Sequence, residues 1–281
     1  MLIEVYRYAL RHHDAKVHQV MDSNYNRIME EAASRWVSYL PTAKISVTAG
    51  VDSSWNKKAF QGLNLYAIDA IAITSSAQTL AAEYEVDLAE SARNEFLESK
   101  AMAMEASVAK KAAESEMVDL VLVDGSIIPR LRGKSGAGVN GGTQASPTKY
   151  VFISKSSESR SQFGLMHSRA GDIYYYSHAS KNNPGFSKPR KAVSTDGTAV
   201  TEVYARLRMN TPVIRIELLV NAREEQVMQT LDMISYHSVN GYPYCLRRAH
   251  NSCKISDDDM DRLASVFGMH HEPGARGVLN E

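Results

Sequence analysis

The sequence predicts a mixed α/β fold, in which helices flank a mixed β-sheet and a long, Gly-rich, basic insertion interrupts the order of elements. Strand-like and helix-like patterns alternate along the chain. The mostly apolar run at residues 119–123 is typical of a strand that is buried on both faces. Residues 130–148 combine five glycines with basic and small side chains, which predicts a loop.

The composition is that of a folded protein with a sizeable core. The chain has 281 residues, of which 44% are hydrophobic and 23% are charged. No apolar stretch is long enough to span a bilayer, and residues 1–13 mix charges and histidines in a way that excludes a secretory signal. Cys245 and Cys253 form no CxxC pair, which disfavours a structural zinc site and suits two free thiols in a reducing cytoplasm.

The net charge of zero conceals an uneven distribution. Residues 83–119 contain ten acids and four bases, whereas residues 125–191 contain eleven Lys or Arg and two acids. This asymmetry suits a protein that gathers metal ions in one place and a polyanion in another. Solvated, Lys-rich loops would give the same pattern, and the charges alone leave both interpretations open.

The first half of the chain predicts two helices and four strands. Apolar residues recur at spacings of three and four within residues 15–40, and Pro41 ends that helix. A polar turn is expected at residues 53–58, after the first strand. The predicted elements that follow the first helix are strands 44–52, 63–74 and 83–88, helix 90–113 and strand 119–123.

The second half predicts further strands and two helices, and no linker separates domains. Ser256 and Asp259 have the spacing of a capping box at the start of the last helix. We therefore expect one domain over residues 1–281, with an N-terminal helical extension at 1–40 and a flexible basic loop at 129–149. The predicted elements are strands 150–154, 172–177, 200–209 and 212–220 and helices 224–237 and 257–267.

Two aspartates end predicted strands that should lie side by side. The order strand, strand, strand, helix, strand is that of a ribonuclease H-like fold, in which the first and fourth strands are neighbours. Asp52 ends the first strand and Asp124 the fourth, so both carboxylates can meet at one end of the sheet. A divalent cation offsets their repulsion. Two cations about 4 Å apart could then hold an attacking water and a leaving phosphate oxygen.

A third acid is expected from the intervening helix. Glu105 has apolar neighbours at spacings of three and four, so it lies on the apolar face, where an unpaired carboxylate is costly. Each acid also has a simpler explanation when taken alone. A strand-terminal aspartate such as Asp52 or Asp124 is often only a turn former, and Glu105 could extend towards solvent.

Four segments resemble the successive motifs of the NurA family, whose members are archaeal and bacterial nucleases. The segments are AGVDSS at 49–54, LVLVDGSI at 120–127, FISKS at 152–156 and YPYCLRRAH at 242–250. The resemblance implies a DNA nuclease that degrades DNA in the 5′-to-3′ direction, with endonuclease activity as a possible addition. It also implies a homodimer that works with a hexameric HerA-type ATPase in resecting DNA ends for recombinational repair.

The resemblance further implies roles for individual residues. Metal binding falls to Asp52, Glu105, Asp124 and His250, which would hold two Mn²⁺ or Mg²⁺ ions. Tyr242 would lie near the scissile phosphate or hold a ligand in place. Phosphate contacts, and with them DNA binding, are expected from the basic residues Arg130, Arg132, Lys134 and Lys155, of which Lys155 would also stabilise developing negative charge.

Two other functions remain open at this point. The same fold could serve as a non-catalytic adaptor that binds DNA or regulates the translocase, in which case neutralising the acids would change nothing. A metal-dependent phosphatase of small substrates is a third possibility. The presence of the carboxylates together with His250 favours the nuclease over the adaptor, because a scaffold has no need of these residues.

Overall fold

The computed structural model describes residues 2–21, 24–60, 62–127, 149–193 and 198–269. Within these ranges, the helices are α1 (Leu2–Val20), α2 (Tyr25–Ser34), α3 (Asn94–Ala113), α4 (Asp172–Ala179), α5 (Glu224–Tyr236), α6 (Tyr244–Cys253) and α7 (Asp257–Val266). The strands are β1 (Trp36–Ser38), β2 (Thr48–Ala59), β3 (Asn64–Thr74), β4 (Thr79–Ala89), β5 (Leu120–Asp124), β6 (Tyr150–Ser154), β7 (Gly185–Ser187), β8 (Arg190–Val193), β9 (Ala199–Arg206), β10 (Ile214–Leu218), β11 (Ser238–Val239) and β12 (Tyr242–Pro243).

One mixed sheet organises these elements, as the sequence predicted. Its strand order is β1-β7-β9-β10-β6-β5-β2-β3-β4, and β8 adds to β9. β5 runs parallel to both of its neighbours, β2 and β6, while the other pairs are antiparallel. The predicted neighbourhood of the first and fourth predicted strands, now β2 and β5, is confirmed.

The two faces of β5 explain its continuous apolar sequence. Leu120 and Leu122 pack with residues of α5 and α6 on one face of the sheet. Val121 and Val123 alternate with them and pack against α3 on the other face. Each such side chain contributes roughly 1.5–3 kcal/mol when it is fully buried, so the two layers hold β5 firmly at the centre of the sheet.

Two predictions about strands, at 172–177 and at 53–58, were wrong. The predicted strand at 172–177 is helix α4, which buries the side chains of Tyr175 and Tyr176. Asp172 begins this helix and accepts hydrogen bonds from the backbone N–H groups of Gln162 and Phe163, so tertiary contacts outweigh the β preference of the tyrosines. The predicted turn at 53–58 instead continues β2, which pairs with β3 along its whole length.

The N-terminal region contains two helices where the sequence predicted one within residues 15–40. α2 ends at Ser34 and β1 follows it, so Pro41 is not the residue that ends the helix. The side chains of residues 2–17 in α1 are exposed, including those of Leu2, Ile3 and Leu10. The capping box of Ser256 and Asp259 at the start of α7 is confirmed. Among the described helices, none combines the length and apolar composition that crossing a bilayer requires.

Candidate metal centre

Asp52 and Asp124 stand side by side on one face of the sheet. Val51 of β2 is in register with Val123 of β5, so the next residue in each strand is one of the two aspartates. Alternation gives Asp124 the same face as Leu122, which is the face that α5 and α6 cover. Asp52 is only 8% exposed, whereas Asp124 is partly exposed at the end of its strand.

His250 reaches the same place from α6, which packs against β2 and β3. Its Nδ1 lies 2.9 Å from Oδ2 of Asp52. The buried residues of α6, Cys245, Leu246, Ala249 and Cys253, recur at helical spacing and face the sheet. His250 lies at the edge of that buried stripe, where its half-exposed side chain can reach the two carboxylates.

Together these three residues form a group that can hold a metal ion. One ligand atom from each of Asp52, Asp124 and His250 lies within 4.8 Å of the others. Burial raises the pKa of Asp52, and the charge of Asp124 raises it further. Hydrogen bonds from His250 and from the Ser53 backbone offset only part of this rise. A bound cation would relieve the unfavourable charge, and two carboxylates with an imidazole suit Mn²⁺.

Lys155 and Tyr242 border the group. The ammonium of Lys155 lies 3.2 Å from Oδ2 of Asp124 and 4.8 Å from the centre of the Tyr242 ring. The Tyr242 hydroxyl is buried close to the carboxylate of Asp124. Burial raises the pKa of Tyr242, and the charges of Asp124 and Asp52 raise it further, so the hydroxyl stays protonated and can donate to an anion.

Glu105 lies outside this group. It is only 3% exposed, which confirms that the apolar face of α3 buries a carboxylate. Its Oε2 accepts a hydrogen bond of 2.7 Å from the Ser53 hydroxyl. Because Ser53 follows Asp52 in the strand, its side chain points to the opposite face, the one that α3 covers. The expected role of Glu105 as a metal ligand stays a prediction.

A buried network of charges, which the sequence analysis missed, supports the turn after Asp124. Oε2 of Glu217 accepts hydrogen bonds of 2.7 Å from the Ser126 hydroxyl and from the Ile127 backbone. Its Oε1 lies 2.6 Å from Nη2 of Arg215, which is also 2.5 Å from Oε2 of Glu202. Charged residues at alternate positions of otherwise apolar strands were the signal that could have revealed this network.

The remaining predicted DNA-binding residues, Arg130, Arg132 and Lys134, lie outside the described residues. Lys155 is the member of that set whose surroundings the structure describes.

The family model and the curated relatives that match the sequence all indicate one family. The family model of the NurA domain matches residues 46–255. The DNA double-strand break repair nuclease NurA of Sulfurisphaera tokodaii is 23% identical over 133 residues, which are 43% of this chain and 38% of that protein. Its counterpart from Saccharolobus solfataricus is 31% identical over 68 residues, 24% of this chain and 20% of that protein. The matched stretches therefore span less than half of either relative's length.

Solved structures share the fold over nearly the whole chain. The crystal structure of the NurA nuclease from Sulfolobus solfataricus has a TM-score of 0.80 at 18% identity and covers 95% of this chain and 97% of its own. A crystal structure of NurA bound to dAMP and manganese has a TM-score of 0.67 at 12% identity, covering 94% and 97%. At such identities the likeness shows the fold alone, and the family match rests on the sequence. The chain belongs to the NurA family.

Proposed function

We propose that the chain is a metal-dependent DNA nuclease. The observation that carries the proposal is the group formed by Asp52, Asp124 and His250, with the cation of Lys155 beside it. Hard oxygen ligands and an imidazole bind the divalent ions that phosphodiester hydrolysis uses. The two relatives named above are nucleases of double-strand break repair, and another relative has been solved with manganese and dAMP; both observations support the same activity.

The residues of the metal-binding group and their neighbours would have separate roles. Asp52, Asp124 and His250 hold the cations, for which we propose two Mn²⁺ or Mg²⁺ ions. Bound cations supply Lewis-acid stabilisation of the charge that develops on phosphate oxygens. Lys155 adds a positive charge next to Asp124 for a phosphate oxygen, and the buried hydroxyl of Tyr242 can donate a hydrogen bond there.

Incubation of the purified chain with end-labelled DNA tests this proposal. We expect cleavage with Mn²⁺ or Mg²⁺ and none with chelator. Asp124→Asn keeps the side chain's shape but removes its charge, so cleavage should fall by about 100-fold or more. The exposed Asp258 of α7 offers a matched control, and Asp258→Asn should cleave at the parent rate. Parent-like cleavage by Asp124→Asn would show that the site is elsewhere.

The same assay separates the rival functions. DNA binding without metal-dependent cleavage would identify an adaptor. Hydrolysis of p-nitrophenyl phosphate with no cleavage of linear single-stranded DNA would identify a phosphatase. The two neighbouring acids, Asp52 and Asp124, and His250 favour the nuclease, since neither the fold nor DNA binding requires carboxylates that repel one another.

Family membership extends the proposal to direction, assembly and compartment. We propose 5′-to-3′ exonuclease action, accompanied by endonuclease cleavage, in DNA end resection for recombinational repair. The working form would be a homodimer that docks on a hexameric HerA-type ATPase in the cytoplasm, and the exposed apolar side chains of α1 are surface that such an assembly can bury. Substrates labelled at either end report polarity, and light scattering with and without the ATPase reports assembly.

A further inference from the structure

Two loops leave the sheet at the end where the candidate metal centre lies. β5 and β6 run parallel, and Asp124 is in register with Ile153, so both strands finish at the same end of the sheet. The turn at 124–127 follows β5 and begins with the proposed ligand Asp124. The loop at 155–171 follows β6 and begins with Lys155, whose ammonium lies 3.2 Å from Asp124. The positions of these two loops therefore decide how Lys155 and Asp124 face each other.

Glu202 of β9 is fully buried on the face of the sheet opposite the candidate metal centre. It is in register with Glu217 of β10, which is in register with Phe152 of β6, so all three side chains share one face. Phe152 packs in the core cluster that contains α3, whereas Asp124 lies on the face that α5 and α6 cover. A buried carboxylate is costly unless it is paired or hydrogen-bonded, so the donors around Glu202 show what it holds in place.

One oxygen of Glu202 holds the loop that begins with Lys155. Its Oε1 accepts hydrogen bonds of 2.6 Å from the Ser161 hydroxyl and 3.3 Å from the side-chain amide of Gln162. Asp172, at the start of α4, accepts from the same two residues, at 3.2 Å from the Ser161 hydroxyl and at 2.8 Å from the Gln162 backbone. Two buried carboxylates therefore fix this loop shortly after Lys155.

The other oxygen of Glu202 holds the turn after Asp124 through Arg215. Its Oε2 accepts hydrogen bonds from Nε and Nη2 of Arg215, at 2.8 and 2.5 Å. Nη1 of the same guanidinium donates to the Ser126 hydroxyl at 3.1 Å. Because the guanidinium is planar and rigid, a displacement of Glu202 is passed on to Ser126, which lies in the turn that Asp124 begins.

We propose that Glu202 is a positioning residue for cleavage, which links the turn at 124–127 to the loop at 155–171. The link holds Lys155 and Asp124 at the separation at which one can meet a phosphate oxygen while the other holds a cation. This role differs from that of Glu217, because the two oxygens of Glu202 serve different loops, one directly and one through Arg215. The inference rests on the proposed nuclease function and assigns a role to a residue that lies away from the reacting atoms.

Glu202→Gln weakens the link without emptying the space. Glu202 accepts four hydrogen bonds, and a glutamine keeps only one accepting oxygen, so at least one donor loses its partner. We expect kcat on end-labelled DNA in Mn²⁺ to fall by about tenfold, with KM within about twofold of the parent, because the DNA contacts are unchanged. Glu158→Gln makes the same chemical change on the exposed surface of the same loop and should cleave like the parent. Parent-like kcat in Glu202→Gln would overturn the proposal.

A second control separates positioning from a general loss of stability. Met260→Ala leaves a cavity in the cluster that packs α7 on the sheet, and this cluster contains no residue of either loop. It should lower the melting temperature as Glu202→Gln does, yet keep the parent's kcat below that temperature. An equal loss of kcat in Met260→Ala would mean that instability explains both variants, and the proposal would fail.

Two serine substitutions test the link itself. Ser126→Ala and Ser161→Ala remove opposite ends of the path that runs through Arg215 and Glu202. Each should lower kcat by about fivefold, and the double variant should fall by clearly less than their product, because either change already breaks the path. A fall equal to the product would mean that the two loops act independently and would overturn the proposal.

Metal-free NMR distinguishes a failure of this inference from a failure of the nuclease function. With chelator present, Ser161→Ala should shift the backbone amide signals of Ser126 and Ile127, and the shift should vanish when Glu202→Gln is already in place. Amide signals that do not move in the first variant would overturn the link even if the parent cleaves DNA. Absence of any metal-dependent cleavage by the parent would refute the nuclease function and the role in cleavage, whereas the NMR signals would still decide whether the two loops are linked.

Discussion

Gly50 of β2 faces the backbone of Cys245 in α6 with no space between them. A Cβ atom on Gly50 would lie 2.3 Å from the carbonyl carbon of Cys245 and 2.5 Å from the backbone nitrogen of Leu246. Only a residue without a side chain lets the first turn of α6 rest on the strand at this point. Two residues later the strand presents Asp52, to which α6 brings His250. The glycine therefore determines how closely the two metal-binding elements approach.

Gly50→Ala should separate these elements. The new methyl group meets backbone atoms that cannot rotate away, so α6 has to shift, at a cost of about 1–3 kcal/mol in the free energy of unfolding. Displacement of His250 should lower Mn²⁺ affinity by about tenfold, measured by calorimetric titration. Gly164→Ala is the control, since its Cβ would make only an ordinary contact of 3.5 Å with Arg160. Unchanged Mn²⁺ affinity in Gly50→Ala would show that α6 does not position the histidine.

Lys155 should have opposite effects on metal binding and on cleavage. Its ammonium lies 3.2 Å from an oxygen of Asp124 and repels a cation that approaches the same carboxylate. Lys155→Met should therefore bind Mn²⁺ more tightly than the parent. Cleavage should nevertheless fall by about 100-fold, because a charge that stabilises the phosphate is lost.

The exposed Lys188, which precedes β8 far along the sheet, provides the control for Lys155. Lys188→Met should leave both measurements unchanged. A parallel loss of Mn²⁺ affinity and cleavage in Lys155→Met would contradict the assignment, because it would mean that the lysine only supports the structure of the metal-binding group.

Glu105→Gln tests whether the buried acid of α3 binds metal. Its carboxylate accepts the Ser53 hydroxyl on the face of the sheet opposite Asp52. A glutamine oxygen can accept the same hydrogen bond, so we expect Mn²⁺ binding by Asp52, Asp124 and His250 to change by less than about tenfold. Calorimetric stoichiometry and affinity give the measurement. A loss as large as that of Asp124→Asn would make Glu105 a ligand, as the family resemblance implies.

The parts of the site that could be predicted are marked by local sequence patterns. Asp124 ends an apolar run that is buried on both faces, and Asp52 follows β-branched residues, so both could be found by pattern alone. Their pairing followed from the order of the elements. For Glu105 the helical spacing showed that the side chain faces the sheet. Nothing in that spacing tells which face of the sheet the helix covers, and in the structure α3 covers the face that Ser53, not Asp52, points to.

The helices α6 and α4 were not predicted, for different reasons. α6 is short and polar on one side, although Pro243 just before its start and the buried stripe of Leu246, Ala249 and Cys253 were available signals. In α4, three consecutive tyrosines favour a strand locally. In the structure the segment is a helix, and the ring of Tyr176 packs against Phe163 and Tyr204, which lie outside α4 in the sequence. Sequence patterns cannot weigh such long-range packing.

Glu217 should be far more important for stability than an exposed glutamate. Each of its oxygens accepts from a different donor, Arg215 on one side and Ser126 with the Ile127 backbone on the other. Glu217→Gln places an NH₂ group against one of these donors whichever way the amide turns, which costs about 1–3 kcal/mol in the free energy of unfolding. Because the network holds the turn after Asp124, cleavage should fall as well.

Glu31 in α2 supplies the comparison for Glu217. It pairs with Arg35 at 2.6 Å on the surface, with both side chains more than a third exposed. Glu31→Gln should change the unfolding free energy by less than about 1 kcal/mol. Denaturant titrations of both variants give the two values. Equal costs would mean that solvent reaches Glu217 and that the network does not fix the turn.

The two cysteines should report on whether α6 stays on the sheet. Both are free and buried. Burial raises the pKa of Cys245 to about 11 and raises that of Cys253 as well, so neither thiol ionises near neutral pH. We expect Ellman's reagent to label neither cysteine at pH 8 in the folded protein and both after denaturation.

Cys253 is the more informative thiol, because its Sγ donates to the carbonyl of His250 at 3.7 Å. Cys245→Ala leaves Cys253 as the sole cysteine of the chain, so its labelling rate can be followed alone. In increasing denaturant this rate should rise in step with the loss of helical circular dichroism, as expected if α6 unfolds with the rest of the domain. Labelling well before that transition would mean that α6 detaches locally. His250 would then leave Asp52 in the folded protein, and a metal-binding group that depends on both could not be preformed.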